Sequence, residues 1–287
     1  MADAEQSRKS PDANANHATP ASRATSELGE AARFSSSLVA GLAILGCFSA
    51  ERPQMGIAAL ASQLNMTRST THRYAATLVA LGYLEQDHAR QYRLAPRVAD
   101  LGLALLDSMT LRRLARESLR GLRGQTGRTV SMAILDGGQI RYIERLRGWR
   151  LGQHGADLDL GLAVRQPIHC TAMGKVLLAY LPMHRQEAVL SEIRLSAQGP
   201  NAITSKKKLR IELERVRKAG IAVSDEEQAP GLRSIAAPVL DEQGLALAAI
   251  AVAAPSAAFS RKELVSLVGP LVEGAAERVS ALVSSEG

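Results

Sequence analysis

Aromatic side chains are nearly missing: three Phe, five Tyr and one Trp in 287 residues, or 3%. That argues against single-strand binding by rows of stacked bases. It also leaves Leu, Val, Ile and Ala to fill the cores. Cysteine is as scarce. Cys47 and Cys170 stand far apart and neither has CxxC spacing, so a zinc ribbon is not expected and a reducing cytoplasm is. No run of about 18 apolar residues occurs, which leaves no membrane-spanning helix. The N-terminus carries acidic residues without an apolar h-region, so no signal peptide is expected. There is no internal repeat.

What is present suits two domains. Hydrophobic residues make up 46% of the chain, and the net charge is +7 with a pI of about 9.7. A basic balance fits nucleic acid but also many ordinary proteins. Its distribution says more: Arg52, Arg68, Arg73, Arg90, Arg93 and Arg97 face only Glu85 and Asp87 in one stretch.

That stretch contains IAALASQLNMTRSTTHRYAATLVAL, Ile57 to Leu81. Ile57, Leu60, Ala61 and Leu64 repeat at i, i+3, i+4, i+7 and give a first short helix. Asn65 stands where the turn needs positive φ. Thr67 is placed to cap a second helix. There Thr71, Tyr74, Leu78 and Leu81 make an inward stripe, and Ser69, His72, Arg73 and Ala76 an outward one. A polar face of Arg, His and hydroxyls near a helix N-terminus suits the major groove, where Arg meets guanine edges and Ser or Thr meets bases or phosphates. The bland alternative is a solvated helical hairpin. Against it stands a second feature: YLEQ and QYRL flank Asp87-His88-Ala89-Arg90, a β-hairpin in the position of a wing, with Arg90 and Arg93 able to reach phosphate or the minor groove.

In chain order, residues 1–34 read as a disordered leader without periodicity. A helix follows from Ser35-Ser36-Ser37 to about Ser49, with Leu38, Leu42, Leu45 and Phe48 as its apolar stripe. The winged helix-turn-helix domain spans 35–95. Pro96 opens a linker helix over 96–110, with Val98, Leu101 and Leu105 on one side. A second helix runs from about Leu111 to Gln125. These helices either connect and dimerise or cap the core of the body, 111–285. From Thr129 the period changes to two, giving a hairpin around Gly137-Gly138. Thr171 caps a helix to Tyr180, and Ser205 to Ala219 is an amphipathic helix closed by Gly220. Ser234–Leu240 and Leu245–Ala253 are apolar strands, and a capping box at Ser260 starts a helix to about Leu282. The class is α+β.

Four stretches in this order resemble the IclR family of bacterial transcription regulators: SSLVAGLAIL; TRSTTHRYAATLVALGYL; HCTAMGKVLLAYLP; and GIAVSDEEQAPGLRSIAAPVLDEQGLALAAIAV. The resemblance covers nearly all of Ser35 to Ala281. It implies a winged helix-turn-helix head and a GAF-like α/β effector-binding body, operator DNA bound by a dimer or tetramer, and a small, often acidic effector. Thr71 and Ala75 replace larger apolar residues usual in the family, which implies looser packing of the second helix. Relatives that bind glyoxylate or pyruvate carry hydroxyl residues where this chain has Ala251 and Ala253, and Met173 is bulky at the matching loop position. The run RQPIHCTAMGKVLLAYLP is most similar to the branch governing aromatic-acid catabolism through protocatechuate and β-ketoadipate.

On these grounds the expected DNA-binding residues are Thr67, Arg68, Ser69, Thr70, His72, Arg73, Arg90 and Arg93. The expected effector residues are Thr171, Ala172, Met173, Asp225, Ser234, Ala251 and Ala253. Met173, Ala251 and Ala253 would form an apolar wall, Ser234 and N–H groups near Thr171 would hold the acid with nearby basic side chains, and Asp225 would accept from a ligand hydroxyl, orient a water or be protonated through burial. Other chemistry is weaker. Cys170 lies beside His169, but neighbours on an extended chain point opposite ways and cannot pair directly. His154, Asp157, Asp159 and His169 have no spacing that forces a metal site. Lys175 reads as a solvated lysine on its helix. No cofactor, metal or catalytic residue is expected. The competing classes are a metabolite-processing enzyme with a docking head and a non-DNA interaction adaptor.

Overall fold

The computed structural model describes residues 35–49, 51–150 and 164–286. The expected leader, and His154, Asp157 and Asp159, lie outside the described residues. The chain divides into two compact units between Leu103 and Ala104.

The first unit holds α1 (Ser36–Leu45), β1 (Gln54–Gly56), α2 (Ile57–Gln63), α3 (Arg68–Ala80), β2 (Leu84–Gln86) and β3 (Gln91–Leu94). The three strands form an antiparallel sheet in the order β1-β3-β2. Ser35 caps α1, accepting from the Leu38 N–H. The core gathers Ile44, Cys47, Met55, Leu60, Leu64, Leu78, Leu84 and Tyr92. The stripe expected on α1 is split: Leu45 and Phe48 pack against this core, and Leu38 and Leu42 do not. Ala40, Ala43 and Ile44 are buried, while Leu38 and Leu42 are 63% and 61% exposed. The helix is apolar nearly all round, so its own pattern does not fix which face turns inward.

Helix α4 (Arg97–Ser108) runs across the division. The second unit continues with α5 (Thr110–Thr126), β4 (Thr129–Asp136), β5 (Gln139–Leu146), β6 (Arg165–Pro167), α6 (Ala172–Ala179), α7 (Met183–Glu192) and α8 (Lys206–Ala219). It ends with β7 (Ala222–Asp225), β8 (Leu232–Leu240), β9 (Ala246–Pro255), a short α9 (Arg261–Glu263), a π-helical turn (Leu264–Val268) and α10 (Gly269–Glu286). The capping box at Ser260 and Glu263 is present. The single helix read from the sequence is interrupted by the π-helical turn and reaches Glu286.

The six strands form one antiparallel sheet in the order β6-β5-β4-β9-β8-β7. Its faces differ because side chains alternate along each strand. Val130, Met132, Ile235, Ile250 and Val252 pack with Leu119 and Leu122 of α5 and Val272 and Val279 of α10. Ala133, Ala222, Ala236, Ala249 and Ala251 lie on the other face, with α6 and α8. The small alanines let α6 sit close, and all eight of its residues are buried. Gly174 completes this fit, since a β-carbon there would collide with the Ile168 carbonyl.

Candidate functional site

The helix-turn-helix presents a polar face built by its own caps. Asn65 takes a left-handed conformation (φ 51°), and the Met66 N–H donates to Ala61 O, closing the turn. Thr67 Oγ1 accepts the Thr70 N–H at 3.2 Å and donates to Thr70 Oγ1 at 2.8 Å. Thr71 turns inward and donates to Thr67 O at 2.9 Å. Thr71, Ala75 and Leu78 form the buried face of α3, with Thr71 and Ala75 fully enclosed. Leu81, expected to face inward, is 51% exposed. It follows the last helical residue, so the helical stripe no longer dictates its direction.

Arg68, Ser69, His72, Arg73 and Ala76 are exposed together on α3. The Arg73 guanidinium lies 5.3 Å over the Tyr74 ring, which steadies its direction. In the wing, Arg90 occupies the exposed tip at φ 58°, and Asp87 Oδ1 accepts the Gln91 N–H at 2.8 Å. Arg93 is held by Glu85 across the hairpin at 2.7 Å. Its charge is locally compensated, unlike that expected of a simple phosphate contact.

In the second unit a small cavity of about 20 Å³ lies between α6 and the alanine face of the sheet. Six of the seven expected effector residues line it: Thr171, Ala172, Met173, Ser234, Ala251 and Ala253. Thr171 caps α6, accepting the Gly174 N–H at 3.0 Å. Ser234 faces Ala253 across the β8–β9 ladder.

Asp225 is not among the lining residues, which corrects the expectation. Along β7, Ala222 joins the α6 side of the sheet and Val223 the opposite side. Ser224 returns to the α6 side, donating to Cys170 O at 2.8 Å, so Asp225 points away again. It pairs with its cross-strand neighbour Arg233 at 2.5 Å. Arg233 also donates to Ser256 O and Phe259 O. The ion pair thus fastens the strand ends.

Ser131, Tyr142, Arg145, Gln228 and Leu232 also line the cavity, and the sequence reading missed them. Arg145 arrives there through a bulge. Met132 pairs with Glu144 and Ala133 with Tyr142, leaving Ile143 without a partner in the ladder. Without that extra residue, Tyr142 and Arg145 would face opposite sides of the sheet; with it they share one. Arg145 donates to Ser131 Oγ at 3.3 Å and lies 5.8 Å from the Tyr142 ring centroid.

Lys175, read as solvated, is fully buried. Its Nζ donates to Val223 O at 2.6 Å, Glu227 Oε1 at 2.6 Å and Glu212 Oε1 at 3.2 Å. Strand β7 is a sheet edge, so the Lys175 ammonium satisfies a carbonyl that would otherwise want another strand. Burial pushes the Glu227 carboxyl up despite the opposing pull of Lys175. Glu212 is also pushed up by burial, but Arg215 and Lys175 outweigh this and leave it lowered. His169 Nε2 lies 2.9 Å from Ser196 O, and burial pushes the Cys170 thiol up to about 12. The adjacent pair therefore offers no thiolate nucleophile.

Residues 103–281 match the family model described as bacterial transcriptional regulator IclR C-terminal, and residues 37–88 match the IclR helix-turn-helix domain. The HTH-type transcriptional regulator KdgR of Escherichia coli (strain K12) is 31% identical over 247 residues, covering 86% of this chain and 92% of that protein. The p-hydroxybenzoate hydroxylase transcriptional activator of Acinetobacter baylyi is 31% identical over 251 residues, covering 86% of this chain and 91% of its own. A crystal structure of a candidate transcriptional regulator from Rhodococcus sp. RHA1 superposes with a TM-score of 0.76 at 32% identity, covering 88% of this chain and all of that one.

Proposed function

Because the chain belongs to the IclR family of bacterial transcriptional regulators, we propose that it reads a pseudo-palindromic operator and releases or engages it as a small acid fills the α6 cavity. The observation that carries this reading is the exposed Arg68–Ser69–His72–Arg73 face on a capped helix whose opposite face is buried. Ser69, His72 and Arg73 are assigned to base edges. Thr67, Arg68 and Thr70 at the helix start are assigned to phosphate, with Arg90 at the wing tip and Arg93 in a supporting role. One recognition helix covers only a few base pairs, so the chain acts as a homodimer or homotetramer with half-sites about one helical turn apart. Its place of action is the cytoplasm, where operator DNA lies; no described helix is long and apolar enough to cross a membrane.

The effector is assigned to aromatic-acid catabolism. Supporting this are the similarity to an activator of p-hydroxybenzoate hydroxylase and the alanine wall at Ala251 and Ala253, which offers no hydroxyl to a small keto acid. The test is to select genomic fragments with the purified protein, sequence them, and repeat gel shifts with candidate acids. A selected site with two related half-sites, shifted differently when acid is added, is expected. A single half-site bound by a monomer would remove the dimer assignment.

A further inference from the structure

We infer that the Glu144–Arg112 ion pair carries occupancy of the α6 cavity to the last turn of α4, the helix that continues into the operator-reading unit. This rests on the roles proposed for the two units and adds the means by which that cavity regulates. Glu144 and Arg112 are positioning residues, since neither lines the cavity.

The cavity itself demands movement. Its volume of about 20 Å³ admits about one water molecule, so an organic acid enters only by displacing a wall. Most walls are held. Every residue of α6 is buried, and the Lys175–Glu227 pair fastens the loop that carries Gln228. Strands β4, β9 and β8 pair with one another in unbroken register where they line the cavity. Strand β5 is the irregular wall, because the bulge at Ile143 breaks its ladder with β4 between Tyr142 and Glu144. Tyr142 and Arg145, on either side of that bulge, line the cavity.

A continuous chain of contacts leaves this wall on the far face of the sheet. Glu144 is the ladder partner of Met132, whose side chain packs with Leu119 and Leu122 of α5, so Glu144 projects toward that helix. Its Oε1 accepts the Arg145 N–H at 3.0 Å. Its Oε2 lies 3.1 Å from Arg112 Nε, and the two side chains are 8% and 13% exposed. Arg112 Nη1 donates to Leu106 O at 3.5 Å and to Asp107 Oδ1 at 3.4 Å. Those two residues belong to the last turn of α4, where the final carbonyls have no partner within the helix. Arg112 is thus the cationic cap of α4. A shielded ion pair resists separation, so a shift of the Tyr142–Arg145 wall draws Glu144 and Arg112 with it and loosens that cap. All of these groups lie in the second unit.

The test uses the full chain, with the cavity filled by a side chain so that it depends on no particular acid. Ala253→Leu, and separately Ala251→Leu, add three carbons, more than the cavity holds. Each is combined with Glu144→Gln or Arg112→Lys after melts confirm folding. Gln has one acceptor oxygen and no charge, so it cannot serve both Arg145 N–H and Arg112. Two quantities are read: hydrogen exchange of the amides in the last turn of α4, and affinity for operator fragments selected by wild type. Filling alone should speed that exchange about threefold or more and change operator affinity about fivefold or more. With Glu144→Gln, filling should change either quantity by less than about twofold, and Arg112→Lys should leave an intermediate response. A merely structural role would shift the unfilled protein yet keep the full response to filling; that result would overturn the link, as would filling that leaves α4 exchange unchanged. If neither filled variant folds, the unfilled protein decides. Glu144→Gln must then speed exchange at the end of α4 while the amides of β9 keep their rate, and equal rates at α4 would overturn the link. The regulator reading fails separately, if wild type selects no operator fragment, because the exchange measurement needs no DNA.

Discussion

Lys175 Nζ lies 2.6 Å from Glu227 Oε1, and both side chains are almost wholly buried. The pair ties together two walls of the cavity. Met173 precedes Lys175 by two residues on α6, and Gln228 follows Glu227 on the loop between β7 and β8. That loop is tightly shaped: Glu226 takes φ 55°, and its carboxylate accepts the Gly231 N–H. The ion pair thus fixes the loop from behind while Gln228 lines the cavity.

Lys175→Met should be strongly destabilising, because it leaves Glu227 buried without its cation and Val223 O without its donor. The expected cost is about 3–5 kcal/mol. Replacing both Lys175 and Glu227 with Met should recover part of it, since the remaining core is apolar. Denaturant unfolding of wild type, single and double variants measures this. A single variant as stable as wild type would show that the pair carries no stability.

On α3, Arg73→Ala should cost about 1–3 kcal/mol of operator affinity and relax the base preference at one position in each half-site. Arg68→Ala should weaken all sequences alike and lower the salt dependence of binding. Binding titrations against the selected operator and a scrambled duplex, at several salt concentrations, separate the two. Unchanged affinity in both folded variants would dismiss α3 as the reading helix.

The helix-turn-helix was legible because helix period, cap and turn residue agree over Ile57 to Ala80. The strands were legible for the same reason, as Ile250 and Val252 alternate with Ala249 and Ala251. The cavity was only partly legible. Arg145 was hidden because the bulge at Ile143 reverses the alternation, and nothing in YIERL marks the extra residue. Asp225 was misplaced by one position, which in a strand means the opposite face. Lys175 was misread because its partners, Glu212 and Glu227, lie 37 and 52 residues away. On α1 the exposed Leu38 and Leu42 defeated the rule that leucines mark the inner face.

The cysteines should be inert in the folded protein. Burial pushes the Cys47 thiol up to about 11 and that of Cys170 up to about 12. At pH 8 the thiolate fraction is then about one part in a thousand or less. A chromogenic disulfide reagent should react with neither until denaturant is added. Rapid native labelling of Cys170 would contradict its enclosure.

Acid should weaken the hairpin edge of the sheet through Asp136. Burial raises its pKa, but Arg141 at 2.5 Å and Arg165 at 2.8 Å outweigh this and leave it lowered. A lowered folded pKa contributes stability that is present above the unfolded value of about 3.9 and is lost as pH falls through the folded one. Asp136→Asn should therefore show a shallower loss of stability below about pH 4 than wild type. Thermal melts across pH 2 to 5 would give parallel curves if the arginines did not hold this carboxylate.

Helix α4 carries the last expected outcome. Leu101 and Leu105, one turn apart, are each 57% exposed. Two adjacent leucines on a helix are worth about 1.5–3 kcal/mol apiece when fully removed from water, and a two-fold pairing would count each twice. At 57% exposure, covering this stripe with a second copy of the chain would contribute on the order of 3–7 kcal/mol toward the cost of association. Replacing both leucines with Lys puts like charges across such a seam without disturbing the described core, because neither side chain is buried within the chain. Sedimentation should then show a shift toward monomer, and operator affinity should fall steeply because a lone head retains only one half-site. If the double variant stays dimeric and binds operator as wild type does, the leucine stripe on α4 is not the contact that pairs the heads.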